Sequence, residues 1–305
     1  MRVASFNMQN LRLRDGRLDG ARDGDRPEDA TATAARLDPA DRSLGAKLIA
    51  RADADVVALQ EVFDRASLDH FHDRFLARAG DGRYPWRVCL PGNDGRGQDV
   101  ALMSRRPLED VAGHASLRPA DLGLEAPRGV DPDHPIFRRD CLRARAGPLT
   151  LFVCHFKAPY PSARRAWAIR RLEAEAVRRL IEACFPDPVA ALWLVLGDLN
   201  EPADGTGAPA IAPLLPPFSV DLLQRLPAGR RWSWHDAETG GYGRPDALLA
   251  SPALAGRFPQ ACPEILRAGL GHEATRHAGP RLEGTGWHRP HASDHAALAV
   301  TFPGL

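Results

Sequence analysis

Several short segments of this chain place residues able to bind cations, move protons or hold anions at the ends of hydrophobic runs. In LTLFVCHFK, alternation along an extended strand puts Leu151, Val153, His155 and Lys157 on one face and Phe152, Cys154 and Phe156 on the other. In LWLVLGDLN the same alternation aligns Leu194, Leu196, Asp198 and Asn200. Both runs are apolar until their C-terminal ends and then present two polar groups in one direction. Glu61 ends VVALQE and Asn7 ends VASFN in the same manner. Near the C-terminus Ser293, Asp294 and His295 precede AALAVTF, and Asp246 follows Gly243-Arg244-Pro245 at the start of ALLAS. A single His or Asp at a strand end is most often a cap or a solvated turn, but here every such end carries Asp, Glu, Asn or His. Gathering carboxylates costs free energy unless cations compensate. Oxygen donors of this kind suit Mg²⁺ or Mn²⁺ rather than structural zinc.

These residues need a scaffold, and the apolar pattern supplies one. Strands are expected at 3–7, 56–62, 86–90, 99–104, 141–146, 149–156, 192–196, 245–250 and 296–302. The spacing predicts helices from a Ser43 cap through Ala52, over about 65–79, and over 162–183, the last with Ala166, Ile169, Leu172, Ala176 and Leu180 on its apolar face. The stretch 12–42 is rich in Arg, acids, Gly and Pro and poor in large apolar residues, so it reads as a long surface loop insertion with a tendency to disorder. The segment 105–137 also reads as loops. Strands alternating with helices, without a repeat or a long linker, predict one α/β domain over 1–305.

Composition excludes several classes. The chain has 305 residues, of which 44% are hydrophobic and 26% charged, which suits a folded globular protein. No run approaches the roughly 20 apolar residues of a membrane span, and the N-terminal MRVASFNMQN lacks the apolar stretch of a signal peptide. The five cysteines form no CxxC or CxxH pattern, so neither a zinc ribbon nor a disulfide framework is expected, and a cytoplasmic setting follows. A net charge of +1 offers no whole-chain electrostatic case for nucleic acid, and nothing indicates a protein partner. Only Lys47 and Lys157 are lysines among the basic residues, which draws attention to Lys157 two positions after His155.

With SFNMQNL, VVALQEV, VALMSRRPL, TLFVCHFKAP, LVLGDLNEP, GRPDALLAS and ASDHAALAV in this order, the sequence resembles the endonuclease/exonuclease/phosphatase superfamily, the DNase I-like fold. The resemblance implies a four-layer α/β sandwich, two facing sheets flanked by helices. It also implies divalent-metal-dependent phosphodiester hydrolysis. Asn7 and Glu61 would be metal ligands, with Asp294 ligating or orienting water near the ion. Asp198 would be the general base and Asn200 would hold a phosphate oxygen. His155 and His295 would flank the scissile phosphate and stabilise the charge developing on its oxygens, and Asp246 would pair with His295. A phosphodiester is anionic and repels nucleophiles, so such a site must neutralise charge and align a water. The Arg-Pro before Asp246 departs from the family pattern. No residue among Tyr84, Tyr160 and Tyr242 matches the tyrosine of the exonuclease III-like branch, which speaks against abasic-site repair.

Substrate contacts are expected from Lys157, from Arg139 in FRRDCL, from Arg164 in the first turn of the 162–183 helix, and from Trp234; alternation puts Trp232 and Trp234 on one face, as core or as a base-stacking rim, with core expected for one of them. His272-Glu273 through His277 is a near miss for HExxH, with its second histidine off the first one's face, and reads as a loop. Three functions stay open: a nuclease, which leads; a phosphatase or phosphodiesterase of a small molecule or lipid head group; and a binding protein on a degenerate scaffold.

Overall fold

In the computed structural model, which describes residues 1–24, 26–80, 83–202 and 207–305, the apolar runs become the central strands of two six-stranded sheets. In chain order the strands are β1 (Arg2–Leu11), β2 (Leu13–Arg14), β3 (Arg17–Leu18), β4 (Val56–Val62), β5 (Trp86–Cys89), β6 (Asp99–Ser104), β7 (Glu109–Ala112) and β8 (Cys141–Ala146). They continue with β9 (Leu149–His155), β10 (Trp193–Asp198), β11 (Val220–Asp221), β12 (Trp234–His235), β13 (Tyr242–Gly243), β14 (Asp246–Ala250), β15 (Glu264–Leu266) and β16 (Ala297–Thr301). The α-helices are α1 (Asp38–Ala52), α2 (Arg65–Phe71), α3 (Ala77–Ala79), α4 (Ala163–Cys184) and α5 (Pro252–Arg257). One sheet runs β15-β16-β1-β4-β6-β5 and the other β11-β14-β10-β9-β8-β7. Strands β1 and β4 are parallel, as are β9 and β10; the remaining pairs in both sheets are antiparallel.

Period-two alternation sorts each strand between two cores. Val3, Val56, Ala58 and Leu298 meet Leu151, Val153, Leu194, Leu196 and Leu248 between the sheets. The opposite faces carry Ala4, Phe6 and Leu59 onto α1 and α2, and Phe152, Cys154 and Val195 onto α4. The result is a four-layer α/β sandwich, as the family resemblance implies. Helix α4 begins where Ser162 accepts a hydrogen bond from the Arg165 backbone N–H. Among the described residues no helix is long and apolar enough to cross a membrane.

The stretch 12–42 differs from the expected loop; of it, residue 25 lies outside the described residues. It forms the β2–β3 hairpin and two 3₁₀ turns, Pro27–Ala30 and Ala34–Leu37, and buries Leu18, Ala21 and Ala34. Helix α1 starts at Asp38, with Pro39 in its first turn, so Ser43 lies inside the helix and its hydroxyl donates to the Pro39 carbonyl. Three of its acids, Asp29, Asp38 and Asp41, are buried, with partners at the far end of the chain. Asp38 and Asp41 both take hydrogen bonds from Arg289, at 2.8 Å for Asp38, and the His291 backbone N–H donates to Asp41 at 3.0 Å. The segment 105–137 likewise contains a strand, β7, whose exposed edge position carries no apolar signal.

Arg42 is fully buried and ties this stretch to the end of β1. Its guanidinium donates to the carbonyls of Met8 at 2.6 Å, Gln9 at 2.8 Å and Asn10 at 3.1 Å, and to that of Asp19 at 2.5 Å. Burial pushes its pKa down to about 10 despite nearby Asp41 and Asp38. Arg42→Ala leaves several buried carbonyls without donors, each worth about 1–3 kcal/mol. Urea denaturation should therefore show a loss of at least about 3 kcal/mol, partly restored in Arg42→Lys; an unchanged midpoint for Arg42→Ala would remove this residue from the fold's supports.

Candidate active site

Strands β9, β10 and β14 lie side by side, and their register sets His155 opposite Asp198 and Asp198 opposite Asp246. Three residues distant in sequence thus form one row where the inter-sheet core ends. Gly197 permits this row: its φ is +134°, and a Cβ there would stand 2.0 Å from the Cys154 carbonyl oxygen. Asp198 is the hub. Its Oδ2 accepts from Asn7 Nδ2 at 3.1 Å and lies 3.5 Å from His155 Nε2 and 3.8 Å from His295 Nε2. Its Oδ1 accepts from the Asn200 backbone N–H at 2.9 Å. Behind His295, Nδ1 meets Asp246 Oδ2 at 2.9 Å, and Ser233 Oγ donates to the same oxygen at 2.6 Å.

The other sheet reaches the site through irregular backbone. Strict alternation would send Glu61 outward with Val57 and Leu59, but Glu61 has φ +61° and the β4–β6 register shifts between Gln60 and Val62. The bulge turns its carboxylate to the site. There Oε2 accepts from the Asn10 N–H at 3.0 Å and Gln98 Nε2 at 2.9 Å, while Oε1 lies 3.3 Å from Asn7 Nδ2. A matching irregularity follows Asn7, where Gln9 and Asn10 have φ +46° and +63°. The Gln9 N–H donates to Asn7 Oδ1 and the Gln9 side-chain Oε1 accepts from the Asp294 N–H, both at 3.0 Å. Asp294 Oδ2 accepts from Trp234 Nε1 at 2.9 Å and Oδ1 from Ser293 Oγ at 3.2 Å. The turn at Gln9–Asn10, the one Arg42 clamps, therefore connects Asn7, Glu61 and Asp294.

Asp198, Asp246, His155 and His295 are all buried. Burial opposes a charge on His295, but Asp246, Asp294 and Asp198 outweigh it and hold its pKa well above the ordinary 6.5. His155 goes the other way: burial, with Arg139 and His295 nearby, drives its pKa well below 6.5. The Asp198 carboxyl is pushed up to about 7, by burial first and then by Asp246 and Glu61 against the pull of His295. The donors fit a hard divalent ion. The Asn7 amide joins the carboxylates of Glu61 and Asp198, and the charge partners of Asp198 are histidines rather than Arg or Lys. Asp198, Asp246 and His295 also offer ligand atoms within 4.8 Å of one another.

The model of the endonuclease/exonuclease/phosphatase family matches residues 4–295. The chain belongs to this family. Solved structures share the fold. Truncated Caenorhabditis elegans TDP2 is 16% identical with a TM-score of 0.58, covering 98% of this chain and 96% of that one. An AP endonuclease from Archaeoglobus fulgidus is 17% identical with a TM-score of 0.59, covering 99% of each chain. The 3′ phosphatase NExo from Neisseria is 18% identical with a TM-score of 0.55, again covering 99% of each. No curated protein sequence matches.

Several residues expected at the substrate already have protein partners. Lys157 is half-buried; its Nζ donates to the Tyr160 carbonyl at 2.5 Å, and burial with Arg139 lowers its pKa. Arg139 is buried, donating to the Phe156 carbonyl at 3.0 Å and pairing with Asp94 at 3.2 Å, so it braces the strand end that carries His155. Asn200 Nδ2 donates to that same carbonyl at 3.1 Å. Arg164 is exposed in the first turn of α4. Trp234 spends its indole N–H on Asp294, and Trp232 is buried against Tyr242. Sequence reasoning missed Gln98, Ser233, Gln9 and Asn10, polar residues beside motif positions that alternation alone cannot orient. The loop reading of His272 to His277 holds, although Glu273 finds partners elsewhere in the fold.

These shifts fix a pH dependence for the metal-free protein. An acid whose native pKa lies above its unfolded value stabilises the fold below the unfolded value, and that contribution is lost as pH rises through the native one. For Asp198 the window runs from the ordinary 3.8 to about 7. Stability in EDTA should therefore fall across this range, and Asp198→Asn should flatten the slope; equal slopes would mean the carboxyl is not held protonated. By NMR, His295 should stay doubly protonated at a pH where His155 carries a single ring proton, and Asp246→Asn should lower the His295 pKa.

Proposed function

We propose that this chain is a Mg²⁺- or Mn²⁺-dependent phosphodiester hydrolase whose substrate is nucleic acid. The observation that carries the reading is the buried Asp198 carboxyl with His155 Nε2 at 3.5 Å, His295 Nε2 at 3.8 Å and the Asn7 amide at 3.1 Å, the last also reaching Glu61. Asp198, with a pKa near neutrality, orients an attacking water and takes its proton. His295, held cationic by Asp246, offers Nε2–H to a phosphate oxygen as negative charge grows there. His155 adds a neutral ring beside the same Asp198 oxygen, and Asn200 is held by its N–H on Asp198 and its side-chain amide on the Phe156 carbonyl. Asn7 and Glu61, with Asp294 as ligand or water-orienting group, would hold the ion. Bound there, the ion supplies Lewis-acid charge and screens the carboxylates from the anionic substrate.

Support for a polymer comes from the flank of the site. A cavity of about 760 Å³, lined by Asp246, Pro245 and Glu201, adjoins one of about 750 Å³ lined by Arg51, Arg230 and Arg267. The two share Trp232 and Arg276. Arg267 stacks over Trp232 at 4.2 Å, and burial with Arg276 and Arg230 brings its pKa to about 10. The second cavity gathers Arg51, Arg230, Arg267 and Arg276 around a single acid, Glu264, an excess of positive charge that suits successive phosphates of a strand. The AP endonuclease and the NExo–DNA hairpin complex among the fold relatives agree with such a substrate.

The test compares labelled single- and double-stranded DNA and RNA with bis-p-nitrophenyl phosphate, with and without EDTA. Ion-dependent cleavage of a polymer, abolished in folded Asp198→Ala and His295→Ala, is the expected result. Cleavage of the small diester alone would transfer the reading to a small-molecule phosphodiesterase, and near wild-type rates in either variant would overturn the assigned roles. Joint Arg230→Glu and Arg276→Glu replacement should lower kcat/KM for the polymer by roughly tenfold or more relative to the small diester, with a shallower salt dependence.

A further inference from the structure

Glu273, His288 and His291 come from separate turns of the loop before β16, yet each offers a ligand atom within 4.8 Å of the others. Each histidine has its Nε2 engaged by acceptors. His288 Nε2 lies 3.1 Å from Asp29 Oδ2, and His291 Nε2 lies 2.9 Å from the Ala21 carbonyl and 3.1 Å from Gln9 Oε1. Acceptors at Nε2 require a proton there, which leaves Nδ1 of a neutral ring as the lone-pair nitrogen. His288 Nδ1 faces Glu273 Oε1 at 2.6 Å, a hydrogen-bond distance that needs a second ring proton without metal and that an ion with bonds of about 2 Å to each would widen by roughly half an ångström. A carboxylate or carbonyl behind each imidazole is the arrangement that orients histidine ligands on a metal.

We propose that Glu273, His288 and His291 form a second cation site, suited to Zn²⁺ or a similar transition ion and chemically distinct from the oxygen-rich site at Glu61. Two imidazoles and one carboxylate match the preference of Zn²⁺, with a fourth position left for water. Burial keeps His291 neutral and able to ligate. The far oxygens are already balanced, Glu273 Oε2 by Arg26 at 3.7 Å and Asp29 Oδ1 by Arg289 at 3.5 Å. A bound ion would lock the Pro27–Ala30 turn, through Asp29, to the loop that delivers Asp294 and His295. The competing arrangement is a doubly protonated His288 bridging Asp29 and Glu273 without metal.

Co²⁺ titration of the EDTA-treated full chain, followed by visible d–d absorption and calorimetry, separates the two. The expected result is one Co²⁺ with tetrahedral bands, displaced by Zn²⁺, retained in Glu61→Gln, and lost in Glu273→Gln and His291→Ala. Asp29→Asn should weaken the same ion by about 10–100-fold. Circular dichroism checks folding, and the isosteric Glu273→Gln carries the test if His291→Ala does not fold. Absence of the bands, their persistence in Glu273→Gln, their loss in Glu61→Gln, or ¹⁵N spectra showing both ring protons on His288 with Zn²⁺ present would each overturn the site.

Discussion

The rest of the structure depends on keeping one carboxylate, that of Asp198, out of water. A buried, ionised acid is unstable unless donors and positive charge surround it. Here they come from both sheets: the Asn7 amide from β1, the His155 ring from β9, and the His295 ring from the turn before β16. Because these groups lie on opposite sheets, the two sheets must meet with their ends level. The inter-sheet core of Val3, Val56, Leu151, Leu194 and Leu248 holds them so.

Regular strands alone would not complete the site. Glu61, Gln9 and Asn10 all have left-handed φ, and none is glycine. Such conformations cost of order 1–3 kcal/mol each and persist where surrounding bonds over-determine them. Here those bonds are identifiable: Arg42 on the carbonyls of Met8, Gln9 and Asn10, and Gln98 with the Asn10 N–H on Glu61. Arg42 therefore serves fold and site together, since the backbone it holds is the backbone that joins Asn7, Glu61 and Asp294.

The two histidines beside Asp198 are given opposite characters by their surroundings. His295 backs onto Asp246, which is itself fixed by Ser233, so it is held as a cation. His155 is buried near the positive charge of Arg139, and its Nδ1 has no partner among the described residues, so it is held neutral. One residue type, placed at the end of β9 and in the turn before β16 of the opposite sheet, thus supplies a fixed positive charge and a neutral ring to the same base. That asymmetry comes from the neighbours alone.

The central strands were legible in the sequence because their signal is local. The expected bounds 56–62, 99–104 and 141–146 coincide with β4, β6 and β8, whose apolar runs need no knowledge of their neighbours. The row of His155 and Asp198 was also readable, since alternation carries the face of the core to the strand end. The edge strands β7, β11 and β15 were not, because edge positions impose little burial. The stretch 12–42 looked solvated because its charges find Arg289 and His291 only after folding, and Glu61 points to the site only because a bulge reverses the alternation. Periodicity specifies which face of a strand is buried. Only the tertiary structure decides which charges meet, because a buried charge is satisfied by groups close in space whatever their separation along the chain.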